Sequence, residues 1–201
     1  MSFLYAIFEK LLVMFHGMTG NFGVAIILLT IFIKIVLLPL TLKQDKSMKE
    51  MKKLQPKIEE IKKKYGSDPQ LMNQKTMELY KEHKVNPAGG CLPILIQLPI
   101  LWALFGVLRK EGVVPDESFL WFSLVTPDPY FVLPILNGVV SFVQQKVMGS
   151  SDNPQMKNMM YMFPIMMVFI SYKMPGGLQL YWLVSSLTGV IQQYFVMKKG
   201  E

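Results

Sequence analysis

The first long apolar stretch of this chain contains a lysine. Lys34 lies between two uncharged runs, residues 23–33 and 35–42, which together are long enough to cross a bilayer as a helix. A charged side chain at mid-bilayer depth costs about 2.5–3.5 kcal/mol on insertion scales, so it normally faces a partner or a water-filled cavity. No Asp or Glu lies in the other apolar segments. We therefore expect Lys34 to face a hydrated cavity or an incoming polar chain, the alternative being that its stem reaches the cytoplasmic headgroups.

Four more apolar runs of comparable length follow, and 51% of the residues are hydrophobic. We predict an all-α membrane protein with five transmembrane helices, over residues 21–42, 92–108, 130–148, 159–174 and 178–197. Residues 1–17 precede this core, which comprises residues 18–201. Because residues 3–15 are apolar but interspersed with Glu9 and Lys10, we predict an interfacial amphipathic helix. A signal peptide is the alternative, but a basic start and a small-residue cleavage site are missing.

The distribution of basic residues predicts the orientation. Residues 43–86 carry twelve Lys against seven acidic residues, whereas residues 109–129 carry two basic residues against four acidic ones. The positive-inside rule therefore places residues 43–86, the 149–158 loop and the 198–199 tail in the cytoplasm and the N-terminus outside. The formal net charge of +7 reflects this bias, and we expect no specific nucleic-acid binding.

Residues 43–86 carry the pattern of two amphipathic helices. Apolar residues recur every three or four positions from Met48 to Tyr65, and Asp68 before Pro69 is a typical start for a second helix. We predict a cytoplasmic helical hairpin, with Pro56 kinking or dividing its first helix. The apolar stripe is expected to form the seam of the hairpin. Its methionines are also candidates for adaptable contacts with partners, namely Met48, Met51, Met72 and Met77.

Several strings resemble the YidC/Oxa/Alb family of membrane protein insertases, in order and over nearly the whole chain. They are LLPLT at residues 37–41, LQPKI at 54–58, NPAGGCLP at 86–93, QQK at 144–146 and GLQLYW at 177–182, followed by the pair Gln192 and Gln193. The resemblance implies a five-helix core with a cytoplasmic hairpin. It also implies a hydrophilic groove that is open to the cytoplasm and to lipid and closed to the outside.

The resemblance places Lys34 at the family's basic groove position, where many bacterial members have Arg. Lysine keeps the charge but lacks the planar fork that binds a carboxylate with two hydrogen bonds. Thr30 lies on the same helical face as Lys34 and is a second groove candidate. Three more candidates share one face of the third span, namely Asn137, Ser141 and Gln144. Tyr181 and Trp182 match an aromatic pair of the family. Alternatives stay open: a bond from Thr30 to its own backbone, hydrogen bonds between helices for the third-span residues, and an aromatic belt.

The chain also departs from the common Gram-negative form, which has an additional N-terminal span and a large periplasmic domain. We expect either a truncated core or a member without that domain. A lipobox cysteine is absent as well. Cys91 is the single cysteine, which excludes an intramolecular disulfide and a metal site with several cysteines, and we expect it to be a small apolar residue at a helix start.

No pair of membrane carboxylates, Ser/His pair or nucleotide-binding loop is evident, so we expect no enzymatic activity, no cofactor and no metal site. The sequence predicts an insertase and chaperone of the bacterial cytoplasmic (inner) membrane, acting alone or with the Sec translocon. The expected partners are nascent membrane proteins, the Sec translocon, the ribosome or signal recognition machinery, and lipids. A secondary transporter of a polar or anionic solute is the main alternative, although no two-half repeat is evident. A structural scaffold would leave Lys34 unexplained.

Overall fold

The computed structural model describes residues 2–83, 85, 92–110, 112–147 and 154–198. These residues form eight helices and one two-stranded hairpin, so the protein is predominantly helical, as predicted. The helices are α1 (Ser2–Thr19), α2 (Phe22–Lys53), α3 (Gln55–Tyr65), α4 (Pro69–Glu82), α5 (Leu92–Arg109), α6 (Val132–Val147), α7 (Pro154–Ser171) and α8 (Gly176–Lys198). The strands are β1 (Ser118–Phe119) and β2 (Phe122–Ser123).

Helix α2 continues past residue 42, where the sequence analysis ends the first span. Asn21 caps its start by accepting a hydrogen bond from the Val24 N–H at 3.0 Å. The residues after Pro39 are mostly good helix formers, so the helix extends to Lys53. The break predicted near Pro56 falls at Leu54, which places the proline in the first turn of α3, where its missing N–H is tolerated. The membrane segment and the start of the basic region are therefore one rod.

Among the described helices, only α2 combines the length and the hydropathy that a bilayer span requires. Shorter apolar helices cover Leu95–Arg109 and Tyr161–Ser171. The other four spans expected from the sequence correspond to α5, α6, α7 and α8 in position, and their crossing of the membrane stays a prediction.

The main hydrophobic core joins α1, α2, α5 and α8, and α1 contributes Leu12 and Phe8 to it. The Tyr5 hydroxyl donates a hydrogen bond to the Gly106 carbonyl oxygen at 3.2 Å. Glu9, one of the charges that interrupt the apolar run of α1, accepts a hydrogen bond from Lys110 Nζ at 2.7 Å. This bond raises the pKa of Lys110 above its usual value. Helix α1 is thus tied to α5 by a charged pair as well as by apolar packing.

The connection between α5 and α6 contains a β-hairpin that the sequence analysis did not predict. Phe119 pairs with Phe122 in antiparallel register, and Leu120 in the turn has a φ of 58°. The chain after β2 then contacts the start of α8, where the Gly176 N–H donates to the Thr126 carbonyl oxygen at 2.8 Å. The Gly177 N–H donates to the Leu124 carbonyl oxygen at 2.9 Å. These bonds satisfy N–H groups that a helix start leaves free and fix the position of α8.

Helices α3 and α4 pack against each other over a small apolar cluster formed by Leu54, Ile58 and Leu79. The Asp68 carboxylate accepts hydrogen bonds from the Gln70 and Leu71 N–H groups, each at 3.0 Å, so the predicted helix start is confirmed. Lys57 Nζ lies 3.0 Å from His83 Nε2, which brings the beginning of α3 beside the end of α4.

We expect Gly176→Ala to destabilise the protein, because a Cβ at this position would clash with the Ser123 carbonyl oxygen and the Phe122 ring. Overpacking of this kind typically costs about 1–3 kcal/mol. Gly189→Ala is the matched control in the same helix, because its Cβ would meet only Gln144 Nε2, at 3.5 Å. Thermal unfolding in detergent measures both variants. Equal melting temperatures would show that the contact at Gly176 does not matter for stability.

Candidate functional site

Helix α8 contacts α2, α5 and α6. Its buried polar side chains are Gln179, Ser185, Ser186 and Gln193. Polar groups inside an apolar helix bundle need partners, either on neighbouring helices or in bound waters, because lipid offers none. The candidate site therefore consists of three contacts of α8, one with each of these helices.

The contact with α5 is made by Tyr181. This side chain is 1% exposed, and its hydroxyl accepts a hydrogen bond from Gln97 Nε2 at 2.8 Å. Tyr181 belongs to the main hydrophobic core, whereas Trp182 is only partly buried. Burial of Tyr181 rules out the aromatic-belt alternative for this residue.

The contact with α6 contains the three polar residues expected on one face of that helix. Asn137 is fully buried and donates from Nδ2 to the Gln179 carbonyl oxygen at 3.2 Å. Ser141 is 2% exposed, and Gln144 lies beside Gly189 of α8. Asn137 Oδ1 and Gln179 Oε1 are buried without a hydrogen-bond partner among the described residues. Such oxygens normally bind an ordered water.

Thr30 is fully buried, and its hydroxyl donates to the Ile26 carbonyl oxygen at 2.7 Å. The bond to its own backbone, left open in the sequence analysis, is thus formed. The hydroxyl retains lone pairs but has no free hydrogen to offer a ligand.

The contact with α2 contains a cavity of about 450 Å³ beside Lys34. Its polar lining residues are Lys34, Thr188 and Gln192, and the others are apolar: Ile31, Ile35, Leu38, Leu42, Ile191, Phe195 and Val196. None of the other six groove candidates lines this cavity. Lys34 therefore lines a cavity whose walls are largely apolar, and the hydration of that cavity stays a prediction. The remaining candidates lie along the other contacts of α8 or inside the core.

Asp45 is a residue that the sequence analysis missed. It lies on the same helix as Lys34, eleven positions further on, and is only 8% exposed. Its Oδ2 accepts a hydrogen bond from Gln192 Nε2 at 2.6 Å. No acid lies within the apolar segments, but Asp45 places a buried carboxylate on α2 just past the predicted span. The continuity of α2 was the missing signal, because residues eleven positions apart face nearly the same side of a helix of 3.6 residues per turn.

The four methionines proposed for partner contacts are divided between two helices. Met48 and Met51 lie on the last part of α2, and Met72 and Met77 lie on α4. Met77 is 46% exposed, whereas the other three are partly buried. A separate depression of about 420 Å³ lies between α3 and α4, where Lys75 and Gln74 hydrogen bonds lower the pKa of Glu78. The segment from Asn86 to Cys91 and the loop residues 149–153 lie outside the described residues.

Comparisons with known proteins agree with this architecture. The family described as 60Kd inner membrane protein matches residues 14–201. A membrane protein insertase YidC of Fusobacterium nucleatum is 68% identical over 205 residues, covering 100% of both chains. One of Caldanaerobacter subterraneus is 44% identical and covers 94% of this chain and 92% of that protein. One of Geobacter sulfurreducens is 46% identical over 90% of this chain but only 35% of its own length.

Among solved structures, an active YidC insertase crystal structure with the first transmembrane domain resolved matches with a TM-score of 0.79 and 32% identity. The match covers 96% of this chain and 46% of that one. The fold is thus that of a helical protein of the inner membrane. The chain belongs to the 60Kd inner membrane protein family, which includes the YidC insertases, and the resemblance noted in its sequence is confirmed.

We expect Tyr181→Phe to lower the free energy of unfolding by about 1–3 kcal/mol, because Gln97 Nε2 loses its acceptor within the bundle. Gln97→Leu should lower the free energy of unfolding less in the Tyr181→Phe variant than in the wild type, because the hydrogen bond is already absent there. Chemical unfolding of the four proteins in detergent measures this coupling. Strictly additive effects would mean that the bond does not link α5 to α8.

Proposed function

We propose that this protein inserts nascent membrane proteins into the bacterial inner membrane and assists their folding. The proposal is supported by family membership and by the relatives named membrane protein insertases, two of which match this chain over nearly their whole length. In this proposal the chain has no enzymatic role. The substrate is not chemically changed, and the protein lowers the free-energy barrier to its insertion into the membrane.

The proposed topology has five crossings, made by the apolar part of α2 and by α5, α6, α7 and α8, with α1 lying along the outer interface. The α3–α4 hairpin and the C-terminus lie in the cytoplasm and the N-terminus outside. The excess of lysine over residues 43–86 supports this orientation. The packing of α1 on α2 and α5 supports its interfacial position, because it buries one face and leaves Phe3, Val13 and Met18 exposed.

The observation that carries the mechanism is the cavity beside Lys34, between α2 and α8. In the proposed mechanism, a polar or acidic segment of the substrate enters this cavity from the cytoplasm and is attracted by the ammonium group. The low dielectric constant of the surroundings makes this attraction larger than it would be in water. The polar segment then crosses a shorter distance through the hydrocarbon core of the membrane.

The adjoining apolar segment of the substrate moves into lipid along the flank of the protein. Burial of its apolar surface releases roughly 25 cal/mol per Å², so the step needs no nucleotide hydrolysis. The buried oxygens of Asn137 and Gln179, which have no partner among the described residues, support a hydrated interior along α6 and α8. Ser141 and Gln144 lie along this α6–α8 contact, whereas Thr30, Tyr181 and Trp182 lie outside the lining of the Lys34 cavity, and their part in the groove stays a prediction.

The proposed partners are nascent membrane proteins, the Sec translocon, the ribosome or signal recognition machinery, and membrane lipids. The α3–α4 hairpin is the proposed receiving element. Its buried apolar cluster is small, so it can shift relative to the bundle at low cost, and Met77 offers an adaptable apolar contact.

We expect Lys34→Glu to reduce insertion of an acidic-tailed, single-spanning substrate into proteoliposomes by about tenfold or more, because reversal of the charge replaces attraction with repulsion. Lys34→Arg keeps the charge and should insert normally. Lys43→Glu, an exposed position on the same helix, is the control for charge reversal as such. Normal insertion by Lys34→Glu would exclude the electrostatic role.

Thiol labelling should distinguish an insertase groove from a transporter path. A cysteine at Gln144, in a Cys91→Ser background, should react with a membrane-impermeant reagent from the cytoplasmic side only. Val139→Cys is the matched control on α6, because its side chain is 53% exposed on the outer face of the helix and should lie in lipid. A transporter alternates its access, so labelling of position 144 from both sides would favour that alternative.

A further inference from the structure

Beyond Lys34, toward the end of α2, a hydrogen-bonded group joins α2 to α8. Gln192 Nε2 donates to Asp45 Oδ2 at 2.6 Å and to Thr41 Oγ1 at 3.0 Å, so both hydrogens of its amide are used. Gln192 itself lines the cavity, and its bond to Asp45 holds the carboxylate next to a residue of the cavity wall.

Asp45 and Lys34 carry opposite charges and lie on nearly the same face of α2, about three helical turns apart. A buried carboxylate is costly unless it is hydrogen-bonded and compensated by an opposite charge. Here Gln192 of α8 supplies the hydrogen bond, and Lys34 supplies an opposite charge on the same helix. The two side chains together carry no net charge.

We propose that Asp45 sets the charge selectivity of the insertase by offsetting the charge of Lys34 inside the cavity. This inference rests on the proposed function. With Lys34 alone the cavity would be positive and would favour acidic segments strongly. With Asp45 bonded to Gln192 of the cavity wall, the preference is moderate, so that neutral polar segments are accepted as well.

The test compares insertion of two single-spanning substrates into proteoliposomes, one with an acidic tail and one with a neutral polar tail of equal length. The measured quantity is the ratio of the two insertion rates. Asp45→Asn keeps an acceptor for Gln192 but removes the charge, and the ratio should rise about threefold or more. Lys34→Gln should lower the ratio below that of the wild type. The double variant, again without net charge, should return it close to the wild-type value.

Glu50→Gln is the matched control, because Glu50 is an exposed acid on the same helix that pairs with Lys53 at 2.8 Å. The Glu50→Gln variant should give the wild-type ratio of insertion rates. Asp45→Glu keeps the negative charge and should also give the wild-type ratio. For a substrate with a basic tail, the ratio to the neutral substrate should fall in Asp45→Asn and rise in Lys34→Gln. Melting temperatures in detergent identify any variant that is misfolded, and Asp45→Glu then provides the comparison at that position.

An unchanged ratio in Asp45→Asn would overturn the inference while leaving the proposed function intact. The inference would also be overturned if the double variant gave the same ratio as Lys34→Gln alone, because removal of the Asp45 charge would then have no effect. If the wild type inserts neither substrate faster than protein-free liposomes do, the proposed function fails, and this inference fails with it.

Discussion

Polar side chains of α8 need hydrogen-bond partners within an apolar bundle, and this requirement organises the structure. Gln192 bonds to α2, Tyr181 to α5, and the Gln179 carbonyl oxygen to Asn137 of α6. Each bond is worth more in these surroundings than at a protein surface, because breaking it would leave an unsatisfied group without water. Helix α8 therefore has a defined rotation and depth relative to three neighbours, and the positions of the other functional residues depend on it.

The uninterrupted course of α2 is the second condition for the site. If the helix ended near residue 42, Asp45 would belong to a separate cytoplasmic element and would have no fixed relation to Lys34. Because the helix reaches Lys53, both charges lie on one helix, and the α2–α8 contact contains both the Lys34 cavity and the Asp45–Gln192 bond. The same helix leads to the α3–α4 hairpin, from which Leu54 separates it.

Some features of the site follow from residue type and spacing, and others do not. The alignment of Asn137, Ser141 and Gln144 on one face of α6 follows from helical periodicity, and all three lie at the contact with α8 or close to it. The bond from Thr30 to Ile26 could be named as one of two alternatives, but periodicity does not choose between them. The β-hairpin at Ser118–Ser123 was missed because a strand pair this short carries too little alternation to be recognised.

The sequence by itself determined the helical class, the family, the position of Lys34 in an apolar helix and the difference in charge between residues 43–86 and residues 109–129. These properties depend on residue type and order along the chain, which periodicity and composition report directly. Only the tertiary structure decided that Asp45 bonds to Gln192 of the cavity wall, that the cavity at Lys34 is largely apolar, and that Tyr181 belongs to the core. Those properties depend on which faces of separate helices meet, and hydrogen bonds between residues as distant in sequence as Asp45 and Gln192 set those contacts.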